Sequence, residues 1–254
     1  MSRPRFLIAG VALVLGVVAG SYVAYDQVLS GDSVAPLTLP STSPGAAATD
    51  PTASAPADVS AGASTEPDTS VDGDVAGSWT VAGDSQAGYR VRERLASLAA
   101  ESDAVGRTAD VTGTITLESD GTTTTLTAGT LIVDTTTITS DEDRRDNRLR
   151  TEGLQTDTYP AATFTVSQPV EIPASAIEGT ATDVTLVGDL ELHGVTKSVS
   201  IPAQARIVDG TIQVAGSIIF LLSDFEIEAP NVGGFILSIA DEGALEFAVN
   251  FTRT

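Results

Sequence analysis

The sequence predicts an all-β domain over residues 78–254, either an antiparallel sandwich or an elongated antiparallel barrel of about eight strands, with one or two short helices. Two observations predict it. After Ser78, segments in which apolar and polar residues alternate recur between turn residues, and β-branched side chains dominate these segments. Few helical patterns separate them, as expected for antiparallel strands. A closed barrel of this size holds either packed side chains or one ligand cavity, and alternation alone does not choose between the two.

The first element is an apolar segment, Phe6–Tyr25, which contains no charged residue and is long enough to cross a hydrocarbon core of about 30 Å as a helix. Arg3 and Arg5 precede it and Asp26 follows, so the positive-inside rule places the N-terminus in the cytoplasm and the rest of the chain outside. We therefore expect residues 1–26 to anchor the protein in the cell membrane by a single pass. The alternative is a signal peptide, cleaved at a small residue, which would make the protein secreted.

The second element, residues 27–77, consists mainly of Ala, Ser, Thr, Pro, Gly and Asp and contains few large apolar side chains. Burial within such a segment cannot offset the conformational entropy lost on ordering, so the composition predicts a disordered linker. As a flexible coil, the linker would span on the order of 40 Å between the anchor and the folded domain.

The strands of the folded domain are predicted from alternation and from the turn residues between them. Two Asp-Gly pairs, Asp120–Gly121 and Asp209–Gly210, mark tight hairpin turns. The predicted strands are Val111–Leu117, Thr130–Ile138, Ala162–Ser167, Asp183–Leu192, Ser198–Val208, Thr211–Leu222, Gly234–Ala240 and Ala244–Phe251.

Two stretches depart from the alternation. SDEDRRDNRLRTEGL, which begins at Ser140, has a residue suited to an N-cap, acidic residues in its first turn and basic residues toward its end. This order predicts a short helix inserted between strands. RERLASLAA, Arg92–Ala100, predicts a second helical turn or two.

Composition argues against several functions. The chain has no cysteine, so it has neither a disulfide framework nor a thiolate metal site. A formal net charge of −21 is unfavourable for binding nucleic acid through its phosphates and for adhesion to an anionic membrane by electrostatics alone. No GxSxG, HExxH or P-loop motif occurs, so neither a catalytic site nor a cofactor is predicted.

The single histidine, His193, lies in GDLELHGVTKSVSI, Gly188–Ile201. A general base needs an orienting partner and a metal site needs further ligands, and the chain has no second histidine and no cysteine to supply them. Leu190 and Leu192 alternate with acidic residues before the His-Gly pair, and alternation resumes after it. The pattern predicts a hairpin in which His193 is a structural turn residue, hydrogen-bonded to nearby backbone.

A basic cluster, Arg144, Arg145, Arg148 and Arg150, lies in the predicted charged helix of a strongly acidic domain. Such a cluster could hold a phosphate or diphosphate by charge-assisted hydrogen bonds. Alternatively, Asp and Glu residues one turn away pair with these arginines, and the helix is a solvated, self-paired element. The run lacks the central glycine and terminal glutamate of an EF-hand loop, so calcium binding is not predicted.

Three features, joined in order, carry a family resemblance. VDTTTITS leads into the charged RRDNRLR segment, a TYPAATF strand follows, and GDLELHGVTKSV forms the next hairpin. In this order and spacing, the chain resembles the YceI-like, polyisoprenoid-binding family over essentially all of residues 78–254. The resemblance implies a lipocalin-like antiparallel barrel with a long apolar pocket for isoprenoid chains, in an exported protein that is not an enzyme. Family members often carry a histidine in the region occupied here by YRVRERL, which has arginine and glutamate instead.

The function expected from the resemblance is extracytoplasmic binding, with transport or storage, of a long-chain apolar lipid, an isoprenoid, in the barrel cavity. The lipid, and the membrane through the N-terminal helix, are then the partners. Alternation gives parity along each strand but does not say which parity faces inward. The candidate cavity residues are Tyr89, Leu131, Phe164, Phe220, Phe225 and Phe235, and the candidate head-group residues at the cavity mouth are Arg90, Arg92, Arg94, Arg144, Arg145 and Arg148.

Two other functions were weighed against lipid binding. One is an envelope adhesion or scaffold module whose barrel is filled and whose outer surface binds a protein. Outward-facing Phe and Tyr side chains in one exposed patch would favour that function. The other is an enzyme that uses clustered carboxylates, although nothing in the sequence fixes two carboxylates at a common site.

Overall fold

The computed structural model describes residues 34–40, 75–95, 101–229 and 236–254. The predicted anchor Phe6–Tyr25, most of the predicted linker and the candidate cavity residue Phe235 lie outside these ranges. None of the helices within them is long and apolar enough to cross a membrane.

The described residues form one antiparallel sheet of 11 strands with a few short helices. The strands are β1 (Gly77–Val81), β2 (Gln86–Leu95), β3 (Glu101–Thr108), β4 (Val111–Ser119), β5 (Thr124–Asp134), β6 (Ala161–Val166), β7 (Val170–Ile172), β8 (Thr182–Leu192), β9 (Val195–Val208), β10 (Thr211–Leu221) and β11 (Ile236–Arg253). The helices are α1 (Asp143–Arg148) and α2 (Ala174–Ile177), with 3-10 turns at Thr135–Thr137 and Leu222–Phe225.

The sheet closes into a barrel because β1 pairs with both β4 and β11. The closed ring runs β1-β4-β5-β6-β8-β9-β10-β11, which confirms the predicted antiparallel barrel of about eight strands. The β2–β3 hairpin extends the wall beyond β11, to which β2 is paired. An isolated bridge between Arg107 and Thr139 joins β3 to the segment that follows β5.

The period-two alternation decides which side chains enter the barrel. On β8, Leu190 and Leu192 are buried, whereas Glu191 between them is exposed. On β11, Val249 and Phe251 are buried in the same way. Because alternate side chains of a closed sheet share one interior, these residues all point into the barrel although they are far apart in the sequence.

Both predicted Asp-Gly hairpins form. Asp209 and Gly210 adopt φ angles of 51° and 71°, which a type I′ turn between β9 and β10 requires at its two central positions. At the β4–β5 turn, the Asp120 carboxylate accepts hydrogen bonds from the amides of Thr123 and Thr122, both at 2.8 Å. These hydrogen bonds hold the pKa of Asp120 below its usual value.

The predicted helix over Arg92–Ala100 is wrong in its described part. Residues as far as Leu95 belong to β2, which pairs with β3 on one side and β11 on the other. Inward Val91 and Glu93 alternate with outward arginines, and pairing on both edges outweighs the weak helical tendency of this short segment.

Two predicted strand boundaries also differ. The strand predicted over Thr130–Ile138 begins earlier and ends at Asp134, whose carboxylate caps the 3-10 turn that follows. The segments Gly234–Ala240 and Ala244–Phe251 join, in their described part, into the single strand β11. A register shift between Ile239 and Gly243 takes up the residues between them.

The predicted charged helix is present as α1, followed by one wider π-helical turn, Leu149–Gly153. Its cap differs from the prediction, because Glu142 and not Ser140 precedes the first helical residue. Ser140 is held instead by Asp146, whose carboxylate accepts hydrogen bonds from the Ser140 amide and, at 2.6 Å, from its hydroxyl. This contact ties the entry of the segment to the body of the helix.

Two clusters of buried side chains lie toward opposite ends of the barrel. The first includes Trp79, Leu126 and Phe251, together with Val75, whose carbonyl accepts a hydrogen bond of 3.1 Å from Trp79 Nε1. The second is built around side chains such as Tyr89, Leu190, Leu192, Phe220 and Phe225. Burial of Val75 extends the packed domain slightly before the predicted start at residue 78.

Residues 34–40, VAPLTLP, lie against the outer wall of the barrel, although they fall within the predicted linker. We call this segment the strap. Its contacts connect it to strands that are distant in the sequence, including β2 through Arg90 and β9 through Arg206. Composition did not indicate this contact, because the strap has too few residues to alter the average of the stretch around it.

Candidate functional site

A cavity of about 220 Å³ lies inside the barrel and is lined by members of both buried clusters. At roughly 10–15 Å³ for each water-sized group, it has room for about 15 to 20 such groups. Aliphatic and aromatic side chains make up nearly all of its lining, including Val91, Ile115, Leu131, Phe164, Leu190, Phe220 and Phe247. A cavity lined in this way favours a long apolar ligand over water.

Glycines in neighbouring strands accommodate the aromatic rings that line the cavity. A Cβ atom added to Gly106 would lie 2.3 Å from the ring of Tyr89, closer than any real contact. Three further inward glycines are covered in the same way: Gly188 by Phe164, Gly216 by Phe247 and Gly243 by Phe220. The rings therefore occupy space that side chains would fill at these positions, and the middle of the barrel is left open.

One buried ion pair interrupts the apolar lining. Glu93 of β2 is 2 % exposed, and its Oε1 accepts a hydrogen bond of 2.5 Å from the Arg145 guanidinium of α1. Burial alone would lower the pKa of Arg145, but hydrogen bonds to Asp141 and Glu93 outweigh it and the net shift is upward. The two charges largely neutralise each other within the barrel.

Polar atoms without partners lie next to this ion pair. Within the described ranges, the buried Arg145 Nε and the hydroxyl of Ser102, which is paired with Glu93 across β2 and β3, have no hydrogen-bond partner. Burial raises the pKa of Tyr89, whose hydroxyl is also influenced by Arg145 and Glu93, so this phenol stays protonated at physiological pH. The cavity thus has one polar region that can donate and accept hydrogen bonds while carrying little net charge.

Most of the predicted apolar residues lie at this cavity. Tyr89, Leu131, Phe164 and Phe220 line it. Phe225 is buried behind them and packs edge-on against Phe220, with ring centroids 6.1 Å apart. Phe235 is outside the described residues.

The candidate head-group arginines are not gathered in one place. Arg145 lines the cavity, whereas Arg144 is exposed on α1 and Arg148 pairs with Glu152 at 2.8 Å. The arginines of β2, Arg90, Arg92 and Arg94, face the outside of the barrel, because inward Tyr89, Val91 and Glu93 alternate with them. The sequence alone does not distinguish these two groups of arginines.

Three features of the site, Glu93, Ser102 and the covered glycines, were not predicted from the sequence. Once YRVRERL is treated as a strand, parity with Tyr89 and Val91 places Glu93 inside, so its misassignment as helix hid this residue. Ser102 had no signal of its own, since its role follows from pairing with Glu93 across β2 and β3. The glycines had a partial signal, because a glycine inside an alternating segment marks a close approach by another group.

His193 has the structural position predicted for it. It lies at the β8–β9 turn with a φ of 52°, and Gly194 follows with a φ of 75°. Its Nδ1 is 3.0 Å from the Phe225 carbonyl oxygen, and its ring meets the Tyr159 ring edge-on at 4.6 Å. The histidine thereby connects the hairpin to the turn after β10.

Residues 79–251 match the family model described as the YceI-like domain. The chain belongs to the YceI-like family. The match runs from β1 almost to the end of β11, so the YceI-like domain contains the barrel, the cavity and α1. The strap lies outside it.

Solved structures with the same fold include a polyisoprenoid-binding domain from Saccharophagus degradans implicated in plant cell wall breakdown. It matches with a TM-score of 0.54 at 19% sequence identity, over 70% of this chain and 99% of that chain. BcnA from Burkholderia cenocepacia matches with a TM-score of 0.50 at 16% identity, over 65% of this chain and 95% of that chain. At these identities, the likeness shows a shared fold alone. No relative was found among curated proteins.

Proposed function

We propose that this YceI-like barrel binds one long-chain apolar lipid, an isoprenoid, and carries or stores it on the extracytoplasmic side of the membrane. The observation that carries the proposal is the apolar cavity inside the barrel, which is lined by members of both buried clusters. The polyisoprenoid-binding domain of the same fold supports this choice of lipid. The N-terminal apolar segment Phe6–Tyr25 supports the location.

Burial would supply most of the affinity. Each methylene moved from water into such a cavity contributes about 0.8 kcal/mol, so a chain of 10 carbons gains on the order of 8 kcal/mol before the cost of ordering it. Few polar groups contact such a chain, and selectivity then depends on its length and width. The proposed role is binding rather than catalysis. Among the described residues, the cavity lining offers an ion pair and aromatic rings, without a nucleophile next to a base.

The polar region of the cavity favours an uncharged head. Glu93 and Asp141 both hold Arg145, so the guanidinium has little positive charge left to offer a diphosphate. An alcohol can donate to a carboxylate and accept from a guanidinium N–H, and it carries no charge to desolvate. We therefore expect an isoprenoid alcohol to bind more tightly than the diphosphate of the same chain in a competition assay at physiological salt. Tighter binding of the diphosphate would contradict this part of the proposal.

The adhesion or scaffold alternative is not favoured by the placement of the aromatic residues. None of the aromatic side chains in the described residues is exposed. The exposed large apolar residues there are Val34, Ile132, Ile219 and Leu221, which are aliphatic. Ile219 and Leu221 share one face of β10, whereas Val34 lies on the strap and Ile132 on β5. Two neighbouring aliphatic side chains are far smaller than a protein-binding patch.

A matched pair of variants tests lipid binding. Gly129→Leu places a leucine into the cavity from β5, where the nearest atoms are methyl groups of Ile115 and Val166. Thr185→Leu adds the same side chain at an exposed position of β8. Purified full-length proteins would be incubated with an isoprenoid alcohol, washed and extracted for mass spectrometry. We expect lipid with wild type and Thr185→Leu, and at least tenfold less with Gly129→Leu.

Thermal melts show whether Gly129→Leu still folds, and a lipid-induced rise in the melting temperature gives a second measure of binding. Equal lipid recovery from all three proteins would place the lipid outside the cavity. No recovery from wild type would overturn the proposed function.

A further inference from the structure

The strap crosses the outer wall of the barrel obliquely to the strands. Its Val34 carbonyl accepts a hydrogen bond of 2.6 Å from Arg90 of β2, and its Pro40 carbonyl accepts one of 2.6 Å from Arg206 of β9. The sheet order β9-β10-β11-β2 separates these arginines by three strand spacings. Three spacings are about 14–15 Å across the sheet. Arg90 is paired with Ala244 and Arg206 lies level with Asn250, so the two arginines are also offset by about 20 Å along β11. Six residue steps of extended chain, about 20 Å at full stretch, bridge this diagonal together with the two long arginine side chains.

The hydrogen bonds of the strap are made by its main chain. Besides the two end contacts, the Ala35 carbonyl accepts from Arg107, and the Leu37 amide donates to Glu246 Oε2 at 3.1 Å. Each of these four hydrogen bonds has a charged partner on the barrel, which makes it stronger than a neutral one. The hydrogen bonds between the wall and the strap therefore depend on the main chain of the strap in an extended conformation and not on its side chains.

The barrel residues under the strap form one chain of ion pairs, in which Arg90 lies 3.8 Å from Glu246 and links two shorter pairs. Arg90 lies 3.2 Å from Asp103, and Arg107 lies 2.9 Å from Glu246. The side chains of Arg90, Asp103 and Glu246 are 5 %, 6 % and 3 % exposed, although all three project from the outer face of the sheet. Side chains on an outer face ordinarily reach water, so the covering strap contributes to their burial and supplies main-chain partners for them.

The sequence of the strap suits this contact. Pro36 and Pro40 restrict the chain to extended conformations, which reduces the entropy lost on docking, and proline has no amide that would need a partner. Leu37, Leu39 and Pro40 also border a groove shared with Gln86, Ala248 and Asn250. Docking thus combines charge-assisted hydrogen bonds with partial burial of apolar side chains.

We propose that the outer wall across β9, β10, β11, β2 and β3 is a peptide-docking surface and that its occupant is the strap of the same chain. The surface lies on the opposite side of the wall from the lipid cavity, and the proposal does not depend on lipid binding. Docking of the strap attaches the N-terminal part of the chain to the barrel at a second point, upstream of the start of β1.

Because the strap belongs to the same chain as its docking surface, the affinity that it needs to stay docked can be calculated. A segment joined to its site by a flexible linker experiences an effective concentration in the millimolar range. To be docked about nine-tenths of the time, the strap must bind its site in trans with a dissociation constant of about 0.1 mM or less.

One substitution removes a single hydrogen bond from the strap. Leu37→Pro deletes the amide that donates to Glu246, whereas Thr38→Pro adds a proline at the next position, whose amide has no hydrogen bond within the described residues. Since the chain has no cysteine, spin labels can be placed on A35C and T185C in the full-length protein. Double electron–electron resonance then measures the distance from strap to barrel, and hydrogen exchange by NMR measures protection of the Leu37 amide.

We expect a narrow distance distribution and a protected Leu37 amide in the parent protein, a broad distribution in Leu37→Pro and a narrow one in Thr38→Pro. A broad distribution and a rapidly exchanging Leu37 amide in the parent protein would overturn the proposal. So would a short distance between singly labelled A35C and singly labelled T185C chains in a mixture, because the strap would then occupy a second copy.

A measurement in trans keeps the test decisive even if one variant perturbs folding. A synthetic peptide of residues 33–41 would be titrated into full-length Leu37→Pro and followed by NMR shifts of β2 and β11. Binding with a dissociation constant near or below 0.1 mM is expected. No binding at several millimolar would show that the wall does not recognise this segment, and the docking surface would be rejected.

Discussion

Gly188 is one residue on which the width of the cavity depends. A Cβ at this position would lie 2.3 Å from the Thr165 carbonyl oxygen and 2.6 Å from the Phe164 ring. The backbone oxygen cannot move without disturbing the pairing of β6 with β8. We expect Gly188→Ala to reduce the free energy of unfolding by about 1–3 kcal/mol, as overpacking commonly does, and to lower lipid uptake. Chemical denaturation and extraction of bound lipid would measure the two effects.

Gly129→Ala is the control for that substitution. Gly129 also faces the cavity, but a Cβ atom at this position would meet methyl groups of Ile115 and Val166 at 3.1 Å. Such side chains can shift by a few tenths of an ångström. The loss of stability should be clearly smaller than for Gly188→Ala. Equal losses would mean that intrinsic glycine-to-alanine effects, and not the contact with Phe164 and the Thr165 backbone, dominate.

At the scale of elements, α1 is attached to the barrel by the Glu93–Arg145 pair. Arg145→Met would leave Glu93 buried without its cation, and losing one partner of a buried pair costs about 3–5 kcal/mol. The double variant Glu93→Gln, Arg145→Met replaces the charge at both positions and should regain a large part of that loss. Denaturant unfolding of the wild type, both single variants and the double variant gives the coupling energy. Additive effects would contradict a direct interaction.

The sequence predicted the barrel and most of its strands, but it did not predict every strand or every strand boundary. Alternation and Asp-Gly turns located β4, β6, β8, β9 and β10 well, because an antiparallel strand with one buried face carries that signal locally. It did not identify β2, where a charged residue occupies an inward position: Glu93 is stabilised inside by Arg145, which is distant in the sequence. The pattern of apolar and polar residues within one segment gives no information about a distant residue that pairs with a buried charge in the folded protein.

The candidate site shows the same limit. The sequence divides the residues of each strand into two alternating sets. Which of the two sets faces the cavity is known only once the sheet is closed into a barrel. Tyr89, Leu131, Phe164 and Phe220 line the cavity, because large apolar residues in a barrel most often face inward. Their contact with a ligand stays a prediction. Arg90 was placed at the cavity mouth on charge alone, whereas the structure pairs it with Asp103 on the outer wall.

At the scale of the whole molecule, we expect the full-length chain to sediment with membranes and the fragment of residues 75–254 to stay in the supernatant. The predicted anchoring segment Phe6–Tyr25 is apolar, so washing at 1 M salt should not release the full-length chain. The acidic barrel has no comparable attraction to anionic headgroups. Recovery of the chain mainly as a soluble species that starts near Ser21 would instead identify Phe6–Tyr25 as a cleaved signal peptide.

Docking of the strap limits the distance that the predicted anchor would allow between the membrane and the barrel. With the strap docked, the sequence between the predicted anchor and the first contact with the barrel shortens from residues 26–74 to residues 26–33. At 3.3–3.6 Å per extended residue, the greatest distance that this sequence can span falls about sixfold, from roughly 160–180 Å to roughly 26–29 Å. Under the proposed anchoring and lipid binding, docking of the strap would hold the barrel next to the bilayer from which it loads its lipid. Undocking would let the same barrel carry that lipid farther from the membrane without any change in the barrel itself.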